Sequence, residues 1–220
     1  MSERVVFKDI KVKIAPEELL LYMGRPVGHV KLDKYLPVLE TVARPKAIVK
    51  WVDSDYIDET HVSIDGHVFE SRILADKLKG IYRVVVYVIT AGTEIKETDE
   101  IHSDAIKDMF ATALLGYGFK EVNEYLQKEL HLEGLTVVTA GSLPDWPVIN
   151  NLEVSKILGD VNEIGITMQD NGFMTPWNTS MGIMFTGTPG YLNCTFCDRE
   201  NCVTRSAPFD PKERDRLFNK

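Results

Sequence analysis

The chain has 220 residues, of which 44% are apolar and 9% aromatic, enough to bury a sizeable core in one domain. Its formal charge of -8, from 25 Lys and Arg against 33 Asp and Glu, excludes the basic footprint that a nucleic-acid or anionic-membrane partner requires. No run approaches the roughly 18 apolar residues of a spanning helix, and MSERVVFKDIKVKI has no signal-peptide pattern, so an acidic cytoplasmic protein is expected.

In chain order, VVFKDIKVKI alternates as a strand does, and APEELLLYMG reads as a short helix stopped by Gly24 and Pro26. Residues 1–40 are read as an N-terminal arm or subdomain. The stretch from Lys34 to Leu39 is amphipathic, and Pro45 to Val52 is a β-like run followed by the polar DSDYIDET. HVSI then meets a turn at Asp65-Gly66, so that His61 and His67 flank a hairpin. In RVVVYVIT, Arg83 to Thr90, six of eight residues are β-branched, which predicts a buried central strand.

Beyond that strand lies TAGTEIKE, with Glu94 and Glu97. Ile106, Phe110, Ala113, Leu114, Val122, Tyr125 and Leu126 then recur at helical spacings, predicting one long helix or two with a bend near Gly116 and Gly118. LTVVTAGSLPDWP is a strand entering a Gly/Pro loop, NLEVSKILGD a helix closed by Gly159, and EIGITM and SMGIMFTG are short strands. These segments make residues 41–190 one body of mixed α and β class, and residues 191–220 a cysteine cluster with a charged tail.

Two places carry candidate chemistry. In TAGSLPDWP the small residues Gly141 and Ser142 leave room for a ligand beside the backbone, and Asp145 offers an acceptor next to the flat face of Trp146. A cation such as a sulfonium suits that pairing. The competing structural account has Asp145 capping the helix that follows and Trp146 packed in the core. Glu94 is placed to join the same mouth, whereas Trp177 is expected to pack inside. The second place holds all three cysteines, Cys194, Cys197 and Cys202, spaced C-x2-C-x4-C. A C-x2-C turn presents two thiolates to a tetrahedral ion, but zinc wants four ligands; a cubane iron-sulfur cluster on three thiolates, or three reduced thiols in a turn, are the alternatives. No P-loop, G-x-G-x-x-G, nucleophile elbow or H-E-x-x-H occurs, and the five histidines are scattered.

TAGSLPDWP, then LEVSKILGDVNEIGITMQDNGFMTPWNTSMGIMF, then CTFCDRENCVTR, in that order, resemble the C-terminal half of the vitamin B12-dependent methionine synthase activation domain family, in particular its stand-alone short members with a C-terminal cysteine cluster. GTEIKE and the long helical stretch are similar too. The resemblance implies a single α+β domain around a strongly twisted antiparallel sheet with flanking helices. It implies S-adenosylmethionine as ligand, a corrinoid carried by a partner cobalamin-binding protein or methyltransferase, an electron donor protein, and methyl transfer of the reactivation type. Glu94, Gly141, Ser142, Pro144, Asp145 and Trp146 would then line the ligand mouth, and Cys194, Cys197 and Cys202 would hold an iron-sulfur cluster or zinc. One departure stands out: the family's ligand-loop arginine, suited to gripping a carboxylate bidentately, falls at Val138 or a neighbour here. The alternative reading is therefore a non-catalytic module that binds a corrinoid protein and has lost S-adenosylmethionine.

Overall fold

The β-branched run at Arg83–Thr90 is the axis of the molecule. In a computed structural model that describes residues 3–23, 32–187, 190–202, 205 and 207–219, its side chains alternate between two cores. Val84, Val86 and Val88 enter one and Val85, Tyr87 and Ile89 the other, all with no exposed surface. Burial on both faces is why the sequence shows an unbroken apolar run instead of alternation. Each such side chain contributes about 1.5–3 kcal/mol of burial.

The elements, in order, are β1 (Glu3–Phe7), α1 (Pro16–Met23), α2 (Leu36–Val42), β2 (Lys46–Tyr56), β3 (His61–Ile64), β4 (His67–Glu70), α3 (Arg72–Leu78), β5 (Arg83–Thr90), α4 (Glu94–Glu97), α5 (Asp104–Leu130), β6 (Leu135–Thr139), α6 (Asn151–Leu158), β7 (Thr167–Met168), β8 (Met174–Thr175), β9 (Thr179–Thr186), β10 (Gly190–Tyr191), α7 (Asn193–Phe196) and α8 (Pro211–Phe218). The main sheet runs β10-β6-β9-β5-β2-β3-β4, antiparallel except between β10 and β6. β2 is long enough to pair β5 along one edge and, along the other, β1 and then β3. The polar DSDY therefore continues the strand, because its backbone still finds partners in the β3 hairpin.

One face of the sheet is covered by α3 and α6 through Ile73, Leu74, Leu78, Val154, Ile157 and Leu158. Val122 and Leu126, in the C-terminal half of α5, cover the other face. The N-terminal half of α5 packs Phe110, Leu114 and Tyr117 against Leu19 of α1 and Leu39 of α2. The first residues thus add a strand and a helix to the body, while the expected stop at Gly24 and Pro26 lies outside the described residues.

α5 is one helix of 27 residues, capped at Ser103 and unbroken at its glycines. A Cβ on Gly116 would sit 2.7 Å from the ring of Tyr22, and one on Gly118 2.6 Å from Ile89 Cγ2. The two glycines let α1 and β5 approach the helix closely, and the helix continues through them. α3 and α8 are helices beyond those that the sequence pattern predicts. Of EIGITM, Glu163 and Ile164 end a 3-10 turn that begins at Val161, and only Thr167–Met168 is strand, paired with β8 in a separate two-stranded ladder.

Candidate functional site

β6 leaves the sheet at Thr139 and the chain then folds into a tight loop. Gly141 has a φ of +81° and lies so close to Val148 that a Cβ would be 2.9 Å from Val148 Cβ, which restricts the position to glycine. Its N–H donates to the carbonyl of Trp146 at 2.7 Å, and Leu143 and Trp146 form a bridge across the turn. Asn193, at the start of α7, holds the exit of β6 as a neighbouring strand would. Its Oδ1 accepts from Thr139 N at 3.3 Å and its Nδ2 donates to Thr139 O at 3.1 Å.

Against this loop lies a cavity of about 630 Å³. One wall is the loop itself, including Gly141, Ser142 and Pro144. The others come from Val148 and Asn151 at the start of α6, from Phe173 and Met174, and from Thr179, Ser180 and Met181 on β9. Trp177 completes the mouth, 76% exposed, its ring stacked on Phe173 with centroids 5.8 Å apart. The segment carrying these aromatics is pinned in place. Gly172 has a φ of +83°, and its Cβ position would lie 2.7 Å from Ile149 Cα, while Asn151 Nδ2 donates to Gly172 O at 3.1 Å. None of the described lining residues is charged. A second groove, of about 660 Å³, lies on the other face between α5 and β6 and shares only the strand with the first.

Three of the sequence candidates, Gly141, Ser142 and Pro144, meet in the wall of the cavity. Asp145 and Trp146 do not line it. Asp145 reaches back to α3: Oδ1 accepts from Ser71 Oγ at 2.9 Å and Oδ2 from Ile73 N at 3.1 Å. It caps a helix 72 residues earlier in the chain, not the one that follows. Trp146 has no exposed surface and stands edge-on to Phe69 at 5.9 Å in the core beneath the loop. Glu94 is held by Lys46 at 2.7 Å beyond the end of β5, away from the cavity wall. The aromatic face at the mouth is supplied by Trp177, for which the sequence predicts a place in the core. Local sequence gives no sign of this exchange between two tryptophans that both sit beside proline.

The cysteine loop is the second candidate place. Cys194, Cys197 and Cys202 are each half-buried, but among the described residues no three His, Cys, Asp or Glu side chains converge on a point that could hold an ion. The loop is gathered by a guanidinium. Arg205 donates to the carbonyls of Cys194 at 3.2 Å, Cys197 at 3.1 Å, Ala207 at 3.2 Å and Arg199. Its planar set of five donors explains why one side chain can close the loop. The tail beyond is a helix because Asp210 caps the N–H groups of Lys212 and Glu213 and Pro211 occupies the first turn. α8 is fastened to α3 by Arg216 with Asp76 at 2.7 Å and by Lys77 with Glu213. Hydrogen bonds from Arg216 and then Lys77 hold the Glu213 carboxyl down at about 2.

No protein-family model matches the chain, and no match is found among curated proteins. Among solved structures it is similar to one described as the crystal structure of the MetH reactivation domain bound to AdoHcy, with a TM-score of 0.53 over 92% of this chain and 81% of that one, at 15% identity. The fold is that of the MetH reactivation domain. Its α+β body and its curled antiparallel sheet are thereby accounted for together. No helix among the described residues is long and apolar enough to cross a membrane.

Proposed function

We propose that this protein supports the reductive reactivation of a corrinoid cofactor carried by a partner protein, with an S-adenosyl compound bound in the cavity beside the β6 loop. The observation that carries the reading is the likeness, over 92% of the chain, to a reactivation domain described as bound to AdoHcy. The cavity itself is compatible with such a ligand. Its volume falls in the range of small-molecule sites, about 300–1,000 Å³, and the Phe173–Trp177 pair offers a π-face that suits either a flat base or a sulfonium.

S-adenosylmethionine, when bound, supplies an electrophilic methyl group. The chain's own residues bind and orient it. The Gly141–Ser142 backbone allows close approach, Val148 and Met181 exclude water from one side, and Trp177 covers the mouth. A cationic donor faces no like charge in the described wall. Cys194, Cys197 and Cys202 take no part in this reading, in which the electron comes from a separate donor protein.

The lack of any charged side chain in the described wall favours one second reading, a corrinoid-protein-binding module without methyl transfer. Anaerobic spectrophotometry separates the two. With cob(II)alamin and a chemical reductant, added protein should accelerate formation of methylcobalamin only when S-adenosylmethionine is present. Equal rates with and without the protein would leave the binding-module reading.

A further inference from the structure

Asn151 is the most buried polar residue of the cavity wall, at 3% exposure, and its two amide atoms have different fates. Nδ2 donates to the carbonyl of Gly172, which fixes the orientation of the amide, since the reverse would set two oxygens against each other. Oδ1 is left shielded from solvent with no hydrogen-bond partner. An unsatisfied buried acceptor costs about 1–3 kcal/mol, and a ligand N–H would relieve it. Beside it stands the stacked Phe173–Trp177 pair, on a segment that Gly172 and Asn151 tie to the start of α6. Across the whole described wall there is no cation for a carboxylate and no anion for an ammonium.

We infer that the cavity recognises the neutral nucleoside half of its ligand, stacking a flat base on Phe173 and Trp177 and taking the base's exocyclic N–H on Asn151 Oδ1, while a zwitterionic amino-acid half stays in solvent. This rests on the S-adenosyl reading above and narrows it. A stacking face is tolerant of the base it meets. Asn151 is therefore the residue that makes the choice among bases, because an acceptor left unpaired in a dry wall penalises a ligand that lacks the donor.

The test is a calorimetric titration of the full chain with three ligands: S-adenosylhomocysteine, 5′-methylthioadenosine, which keeps the nucleoside and lacks the amino acid, and the purine analogue of the latter without its exocyclic amine. 5′-Methylthioadenosine should bind within about tenfold of S-adenosylhomocysteine, because solvent-exposed charges contribute little. Removing the amine should cost about tenfold. Asn151→Leu should erase the difference between the two truncated ligands, which a general loss of folding would not do, since it would weaken both alike. Strong binding of S-adenosylhomocysteine with 5′-methylthioadenosine a hundredfold weaker would overturn this inference alone, as would amine discrimination that survives in Asn151→Leu. Failure of all three ligands to bind would remove the S-adenosyl reading itself.

Discussion

Asp145→Ala separates the two roles that the sequence offers for this carboxylate. In the structure it accepts from Ser71 Oγ at 2.9 Å and from Ile73 N at 3.1 Å, joining the β6 loop to the N-terminus of α3. Hydrogen bonds to a charged group contribute about 1.5–3 kcal/mol each, and helix caps about 0.5–2 kcal/mol. Ser71 keeps its own capping bond to Leu74 N at 3.0 Å, so the variant loses part of the cap and the net cost should be about 2–3 kcal/mol. Urea unfolding followed by tryptophan fluorescence should then show a midpoint lowered by about 1 M at unchanged slope. Because Asp145 does not line the cavity, S-adenosylhomocysteine affinity in native buffer should change by less than about twofold, a shift of under 0.5 kcal/mol. Wild-type stability combined with a tenfold loss of affinity would refute this reasoning and return Asp145 to the ligand.

Three further outcomes follow from the same geometry. Trp177→Ala removes a side chain that is 76% exposed, so stability should stay within about 0.5 kcal/mol, while loss of the stacking face should weaken S-adenosylhomocysteine binding about tenfold in calorimetry. Arg205→Lys replaces a planar fork by a point charge that cannot span four carbonyls, and the thiols of Cys194 and Cys197 should then react several-fold faster with Ellman's reagent; an unchanged rate would mean that the loop is held by something else. Glu213 has its folded pKa depressed from 4.5 to about 2 by Arg216 and Lys77. A depressed carboxylate contributes stability that is present above the unfolded value and lost as pH falls from about 4.5 toward 2. Proteolytic clipping of α8 should therefore rise across that window in the wild type, and Glu213→Gln should start higher at neutral pH and rise less.

What is legible in the sequence depends on how local its cause is. β5 can be read because burial on both faces leaves a run dominated by β-branched residues, and the long helix because its apolar spacing persists from Ile106 to Leu126. The β6 loop can be located because Gly-Ser-Leu-Pro cannot continue the buried strand that runs into it. The roles within that loop cannot be read in the same way. Asp145 is defined by Ser71 and Ile73, far back in the chain, and burial of Trp146 depends on Phe69. Exposure of Trp177 depends on a turn held by Gly172 and Asn151. Asn151 carries no sequence signal of a site residue apart from its place at the start of an amphipathic helix. The start of α3 is signalled by Ser71 ahead of Ile73, Leu74 and Leu78, and that of α8 by Asp210-Pro211; in α8 the density of charge masks the single buried face at Leu217. The cysteine spacing records ligand types and says nothing of convergence, and the gathering of the loop by Arg205 has no local sequence signal.

Under the proposed function, the cavity under the Phe173–Trp177 pair is the S-adenosyl site. This assignment is tested most directly by titrating S-adenosylhomocysteine into the wild type, Trp177→Ala and Asp145→Ala side by side in a calorimeter. Saturable one-to-one binding is expected in the wild type, with nearly the same affinity in Asp145→Ala and about tenfold weaker binding in Trp177→Ala. No heat in the wild type, or a loss confined to Asp145→Ala, would contradict the assignment.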